Sequence, residues 1–206
     1  MDATTTSVGI LLFDDVEVLD FCGPFEVFSM AARLAGDASA SAPAPFRVFT
    51  VAQERRVIAA RGGLFVEPHF SFADHLPIDL LIVPGGQGTR QEVGNAVLVQ
   101  WIAHVAAQAT ICASVCTGAF LLAQAGLLHG RRVTTHWASL DRLAAAYADL
   151  SVERDRRWVD EGAVVTSAGV SAGIDMSLHL VERLLGRDTA LATARQMEYR
   201  WQSEPA

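Results

Sequence analysis

A thiol stands where thiols react. In Ala113-Ser-Val-Cys-Thr-Gly-Ala119, Cys116 ends a short apolar run, Thr110 to Val115, and precedes a helical pattern carried by Phe120, Leu121, Leu122 and Leu127. A side chain at such a turn points up from the carboxyl edge of a sheet, like the nucleophile on the elbow of serine hydrolases. Ala113, Gly118 and Ala119 are small enough for the tight turn. The partial positive charge and free N–H groups of a helix start favour thiolate over thiol. The competing reading is a buried thiol closing a core strand; the strand-to-helix context favours the nucleophile. Cys112, inside the apolar run, and Cys22, in a turn beside Gly23-Pro24, read instead as small structural hydrophobes.

Other chemistries find less support. The histidines at 69, 75, 104, 129, 136 and 179 show no metal-ligand spacing, so no metal site is expected. His136 lies in Thr134-Thr-His-Trp137, where packing or capping at a helix begun by Thr135 is its favoured role. Gly86-Gln-Gly88 lacks the third glycine of a dinucleotide fingerprint, and the chain contains no lysine for a phosphate loop. No cofactor is expected. Arg90 has two readings, a substrate carboxylate or its own loop; the second is the commoner fate of a loop arginine, so it stays outside the expected site.

The elements that must position Cys116 alternate in type. Val8–Phe13, Phe46–Val51, Asp79–Val83, Thr110–Val115 and Ala163–Ser167 read as strands, with Val57–Val66 a hairpin broken at Gly62-Gly63 and short strands near Val152 and Val159. Helices are expected at 24–34, opened by Pro24, at 95–107, from Thr117 to Leu127, from Thr134 to about Tyr147, at 173–185 and at 189–199. The stretches 36–45 and 87–94 read as loops. Strands alternating with helices imply a mostly parallel sheet covered on both faces.

Composition narrows the function classes. A chain of 206 residues with 51% hydrophobic and 19% charged residues suits one domain, 1–206, with a substantial core. Its net charge of −7, with 23 acids against 16 bases, disfavours nucleic acid as a partner. Apolar runs fall short of a membrane span, Met1–Ser7 lacks the pattern of a signal peptide, and three cysteines form no pairing framework. A soluble, cytoplasmic protein acting on a small molecule is expected.

Six landmarks in order carry a resemblance: Gly9-Ile-Leu-Leu-Phe13, Leu19-Asp-Phe-Cys-Gly-Pro24, Pro84-Gly-Gly86 with Gly88-Thr-Arg90, Ser114-Val-Cys-Thr-Gly118, Thr134-Thr-His-Trp137 and Ala172-Gly-Ile-Asp175. With these the chain resembles the ThiJ/PfpI family of the class I glutamine amidotransferase-like superfamily, and among its branches most resembles isonitrile hydratases. The resemblance implies a flavodoxin-like three-layer sandwich, a homodimer, and an acid from the first strand-to-helix loop beside the thiol. Asp20 matches that acid; its own local reading is a turn or capping carboxylate before Pro24. Asp175 reads as a first-turn acid complementing its helix dipole.

Many relatives carry His after the nucleophile, and this chain has Thr117, which argues against a Cys-His dyad. Thr117 matches the hydratases, where its N–H, and its hydroxyl, would lie near the reacting carbon. The expected catalytic residues are thus Cys116, Asp20 and Thr117, with Gly85 and Gly86 at the substrate and the Gly86 N–H as a second oxyanion donor. The implied reaction adds water to an isonitrile. Cys116 adds to the carbon as Asp20 supplies a proton, Asp20 then deprotonates water against the thioimidate, and collapse releases an N-substituted formamide. The alternatives are a ligand-sensing domain related to the amino-terminal halves of AraC-type regulators, whose basic DNA-binding helices this sequence does not contain, and hydrolase, glyoxalase or redox-stress chemistry at the same cysteine.

Overall fold

The computed structural model describes residues 5–38 and 43–204. The chain forms β1 (Thr6–Leu12), α1 (Val18–Ala38), β2 (Phe46–Ala52), the hairpin of β3 (Ile58–Ala59) and β4 (Phe65–Val66), β5 (Phe70–Ser71) and β6 (Leu80–Val83). It continues through α2 (Thr89–Glu92), α3 (Ala96–Ala106), β7 (Ile111–Val115), α4 (Gly118–Gln124), β8 (Arg132–Val133), α5 (Leu140–Ala146) and β9 (Ser151–Val152). It closes with β10 (Trp158–Asp160), β11 (Val164–Ser167), α6 (Ala172–Leu185) and α7 (Arg187–Gln196).

Strands covered on both faces must be apolar throughout, and β6 and β7 are buried at every position. They form the centre of a seven-stranded sheet in the order β10-β11-β7-β6-β1-β2-β5, parallel except for the β10–β11 pair. Helices α1, α6 and α7 pack against one another, and α4 packs against both α2 and α3, giving a three-layer α/β sandwich. From β1 the chain winds outward through β2 and β5, then returns to β6 on the other side of β1. That reversal opens a crevice at the carboxyl ends of β1 and β6, the usual ligand position in such sheets.

Several boundaries differ from the sequence reading. The first helix begins at Val18, not Pro24, which lies inside it. Its opening turn is closed by the Asp20 N–H on the Glu17 carbonyl at 3.1 Å and stabilised by burial of Phe21, so Pro24 deletes one internal bond without setting the start. That helix also runs into the expected 36–45 loop as far as Ala38; residues 39–42 lie outside the described residues. Thr89–Glu92, within the other expected loop, forms one helical turn. The edge strand β5 has two residues, too few for an alternating pattern. Thr134 and Thr135 do not open a helix: both are buried, a 3₁₀ turn covers Trp137–Ser139, and α5 starts only at Leu140.

Candidate active site

Three loops meet at the crevice. From β1 the chain reaches Asp20 through a bridge between Val16 and Gly86 and a hydrogen bond from the Glu17 N–H to the Gly85 carbonyl at 2.9 Å. From β6 it enters Pro84-Gly85-Gly86. From β7 it turns at Cys116 into α4. The turn is tight enough that a Cβ on Gly118 would collide with the Val83 carbonyl oxygen. A Cβ on Gly85 would fall 2.5 Å from the Thr117 nitrogen and 2.9 Å from Asp20 Oδ2, so glycine is what lets these groups converge.

Cys116 holds a left-handed backbone, φ +56°, which is costly for a residue with a side chain. Its backbone is gripped from both sides. The Cys116 N–H donates to the Ser167 and Ala168 carbonyls at 3.2 Å each, and the Thr135 hydroxyl donates to the Cys116 carbonyl at 2.6 Å. The side chain lies in contact with Asp20 and opens onto a cavity also lined by Thr117, Gly86, His136 and Val170. Burial first, and then the charge of Asp20, push the thiol up to about 12, outweighing the Thr117 N–H directed at the sulfur. The helix start therefore does not make Cys116 a resting thiolate; ionisation requires a proton acceptor.

Asp20 is that neighbour. It is fully buried, and its Oδ2 accepts from the Gly85 N–H at 3.1 Å while Oδ1 accepts from the Val170 N–H at 3.2 Å. Burial raises its pKa to about 7, with the Gly85 N–H opposing and the charge of Glu17 adding to the rise. Its location corrects the reading of a turn acid: it belongs to the first turn of α1 and points into the site. A carboxyl near neutrality beside a thiol can take a proton and return it within one catalytic cycle.

Thr117 and Gly86 adjoin the thiol but are engaged with each other. The Gly86 N–H donates to Thr117 Oγ1 at 3.0 Å, and the Thr117 hydroxyl lies 3.2 Å from the Gly86 carbonyl and 3.1 Å from the Thr89 hydroxyl. The hydroxyl thus ties down the Gly85–Gly88 loop, and the Gly86 N–H is not a free oxyanion donor. The Thr117 N–H faces the sulfur. Gly85 holds Asp20 through its N–H.

All five expected residues come together, with others that sequence reasoning did not select. Thr135 fixes the Cys116 carbonyl; Val170, at φ +54°, binds Asp20; Arg61 and Arg142 line the cavity with Arg90 and His136. Val170, between Gly169 and Ser171, supplies one wall of the pocket. Arg142 lies on a helix face whose direction only the fold sets. His136 is the residue that caps the 137–139 turn, accepting from the Ala138 N–H at 3.3 Å, in place of Thr135. Asp175 is no simple dipole partner: it is buried against Arg157. Among the described residues no group of three or more His, Cys, Asp and Glu side chains is placed to hold a metal ion, and no helix is long and apolar enough to cross a membrane.

Comparison with known proteins agrees with this geometry. Residues 6–183 match the DJ-1/PfpI family. The chain is 36% identical over 192 residues to an isonitrile hydratase of Pseudomonas putida, covering 93% of this chain and 78% of that protein. It is 30% identical over 193 residues to the HTH-type transcriptional regulator GbdR of Pseudomonas aeruginosa, covering 94% of this chain but only 50% of the regulator. The chain thus spans about half the length of that regulator. A ThiJ/PfpI family protein from Pseudomonas syringae superposes with a TM-score of 0.83 at 26% identity, over 96% of this chain and 76% of that one. The elbow thiol, the buried acid and these matches over nearly the whole chain agree: the chain belongs to the DJ-1/PfpI family.

Proposed function

We propose that the protein is a cysteine-dependent hydratase that converts an isonitrile to an N-substituted formamide. The observation that carries this reading is the buried Asp20–Cys116 pair, in which a carboxyl with a pKa of about 7 touches a thiol that does not ionise unaided. The terminal carbon of an isonitrile accepts both a nucleophile and a proton, which such a pair delivers together. Similarity to the Pseudomonas putida hydratase supports the same substrate class.

Asp20 as carboxylate takes the thiol proton as the sulfur bonds to the isonitrile carbon, then passes that proton to the same carbon. The product is a thioimidate, R–N=CH–S–Cys116, with Asp20 again a carboxylate. Asp20 next takes a proton from water as the oxygen adds to the carbon, and delivers it to nitrogen. Collapse of R–NH–CH(OH)–S breaks the carbon–sulfur bond, and the hydroxyl proton returns through Asp20 to the departing thiolate. One water is consumed and R–NH–CHO leaves. The Thr117 N–H, facing the sulfur, steadies the thiolate as it forms and as it leaves.

The test is formamide production from cyclohexyl isocyanide by wild type, Cys116→Ala and Asp20→Asn. Turnover by wild type, its abolition in Cys116→Ala and a fall of about 10² to 10⁴ in Asp20→Asn are expected. The similarity to GbdR favours a second reading, a ligand-sensing module using the same cavity. Saturable binding of an isonitrile or its formamide by wild type, without turnover of any isonitrile tried, would establish that reading and remove the first.

A further inference from the structure

The cavity above Cys116 carries more positive charge than a neutral substrate requires. Arg61, Arg90 and Arg142 line it, in a chain whose net charge is −7. Outside the cavity six arginines, Arg56, Arg132, Arg154, Arg157, Arg183 and Arg187, pair with a carboxylate among the described residues and the other seven do not, so what sets the cavity apart is three arginines gathered on one hollow. Among the described residues the three cavity arginines form no ion pair, and their side chains form no hydrogen bond. Arg90 therefore does not anchor its loop, the commoner fate of a loop arginine. Glu17 is on the same wall without an ion pair to any of them.

Arg90 and Arg142 are neighbours: burial, and after it the charge of Arg90, lower the pKa of Arg142. The Arg142 guanidinium rests 4.0 Å above the Phe120 ring, which fixes its position. The same two arginines also border an adjoining hollow walled by Val93 and Phe120. Outward from the sulfur, the site thus presents a reacting position, a pair of guanidiniums and an apolar wall. Two cations held side by side repel, and an anion between them relieves the repulsion while the planar guanidiniums supply matched donors.

We infer that the Cys116 cavity selects a small molecule whose reacting end meets Cys116 and whose far end carries a carboxylate held by Arg90 and Arg142. For the identity of the reacting end this rests on the hydratase reading, under which the substrate is an isocyano acid. The carboxylate subsite stands on the arginines alone.

Two measurements separate these statements. In the first, Cys116 is alkylated at pH 8 with 4-(iodoacetamido)benzoate or its methyl ester, and labelling is located by peptide mass with Cys116→Ala as the blank. The acid should label at least tenfold faster than the ester. Arg90→Gln and Arg142→Gln, shown folded by thermal melts, should each cut that ratio to below threefold, while Arg142→Lys, which keeps the charge but not the planar fork, should fall between wild type and Arg142→Gln. Equal labelling by acid and ester, or a ratio that both glutamine variants preserve, overturns the inference. In the second, isocyano acids of increasing length are compared with their methyl esters. Wild type should favour acids at least tenfold in kcat/KM, with the variants losing more on acids than on esters, mainly through KM. A labelling preference without turnover of any isonitrile leaves the carboxylate subsite standing and removes the hydratase reading. Equal turnover of acids and esters with no labelling preference does the reverse.

Discussion

Asp20 and Asp175 are both fully buried, each in the first turn of its helix, and those helices, α1 and α6, pack on one another. Their surroundings could hardly differ more. Asp175 Oδ2 accepts from Arg157 Nε at 2.6 Å and the Tyr199 hydroxyl at 3.2 Å, while Oδ1 accepts from the Gln202 N–H at 3.0 Å. Its own carbonyl accepts from the Trp201 indole at 3.3 Å, so this aspartate clamps the segment after α7 to the body of the protein. Asp20 accepts only from two backbone N–H groups and the Cys116 thiol, with no guanidinium beside it among the described residues. A buried carboxylate with a cation is a fastener; one without a cation holds its proton near neutrality and is available for chemistry.

Exchanging either acid for its amide should divide the molecule accordingly. Asp20→Asn should lower formamide production by about 10² to 10⁴ through loss of proton transfer. Asp175→Asn leaves Arg157 without its partner; because that side chain is 24% exposed, the cost should fall at the low end of broken buried pairs, about 3 kcal/mol. At roughly 2 to 4 °C per kcal/mol for a chain this long, the melting temperature should drop by about 6 to 12 °C. Thermal melts and initial rates on both variants decide the matter. If Asp175→Asn loses activity as deeply as Asp20→Asn at a temperature where it is folded, the division between fastener and reagent is wrong.

The sequence carried part of this contrast. The strand-to-helix junction at Cys116 was legible because an apolar run, a reactive residue type and small neighbours coincide there. The mostly parallel sheet was legible because β6 and β7 must be apolar on both faces. Asp20 beside Cys116 was reachable only through resemblance, since 96 positions separate the two and no periodicity links them. Partners of Asp175 come from Arg157, ahead of β10, and from Tyr199 and Gln202, after α7, two segments that only the fold brings to α6, so a helix-dipole role was all that local reasoning offered. Thr134 and Thr135 misled for a related reason. Residues that often cap helices spend their hydroxyls here on the Glu153 and Cys116 carbonyls.

A titration sharpens the same comparison. Asp20 has a pKa of about 7 when folded, against its ordinary 3.8, so the folded state keeps a proton that the unfolded chain gives up. Its contribution to stability must therefore decline as pH rises from about 4 to about 7. Between pH 5 and pH 8 the loss spans about two pH units, or roughly 2 to 3 kcal/mol at about 1.36 kcal/mol each. Asp20→Asn cannot titrate, so its melting temperature relative to wild type should rise by about 5 to 10 °C over that interval. A constant difference between the two proteins would show that Asp20 is ionised throughout. In the active protein, kcat/KM should rise with pH through about 7 as the carboxylate becomes able to take the thiol proton, and that limb should vanish in Asp20→Asn.

The smallest effect tests how the loop opposite these acids is held. The Thr117 hydroxyl accepts the Gly86 N–H at 3.0 Å and shares a contact with the Thr89 hydroxyl, whereas its own N–H faces the sulfur. Thr117→Val keeps the shape and the N–H but leaves the Gly86 N–H without its acceptor, a loss of about 1 to 2 kcal/mol. The Gly85–Gly88 loop should then loosen, and because the Gly85 N–H positions Asp20, kcat/KM should fall by about tenfold. Thr117→Ser restores the oxygen and should remain within about threefold of wild type. The acid limb near pH 7 should also move in Thr117→Val, since a displaced Gly85 N–H no longer opposes the rise in the Asp20 pKa. Full activity in Thr117→Val with an unmoved limb would mean that the loop is held by its glycine backbone alone, and that Thr117 serves the thiol only through its N–H.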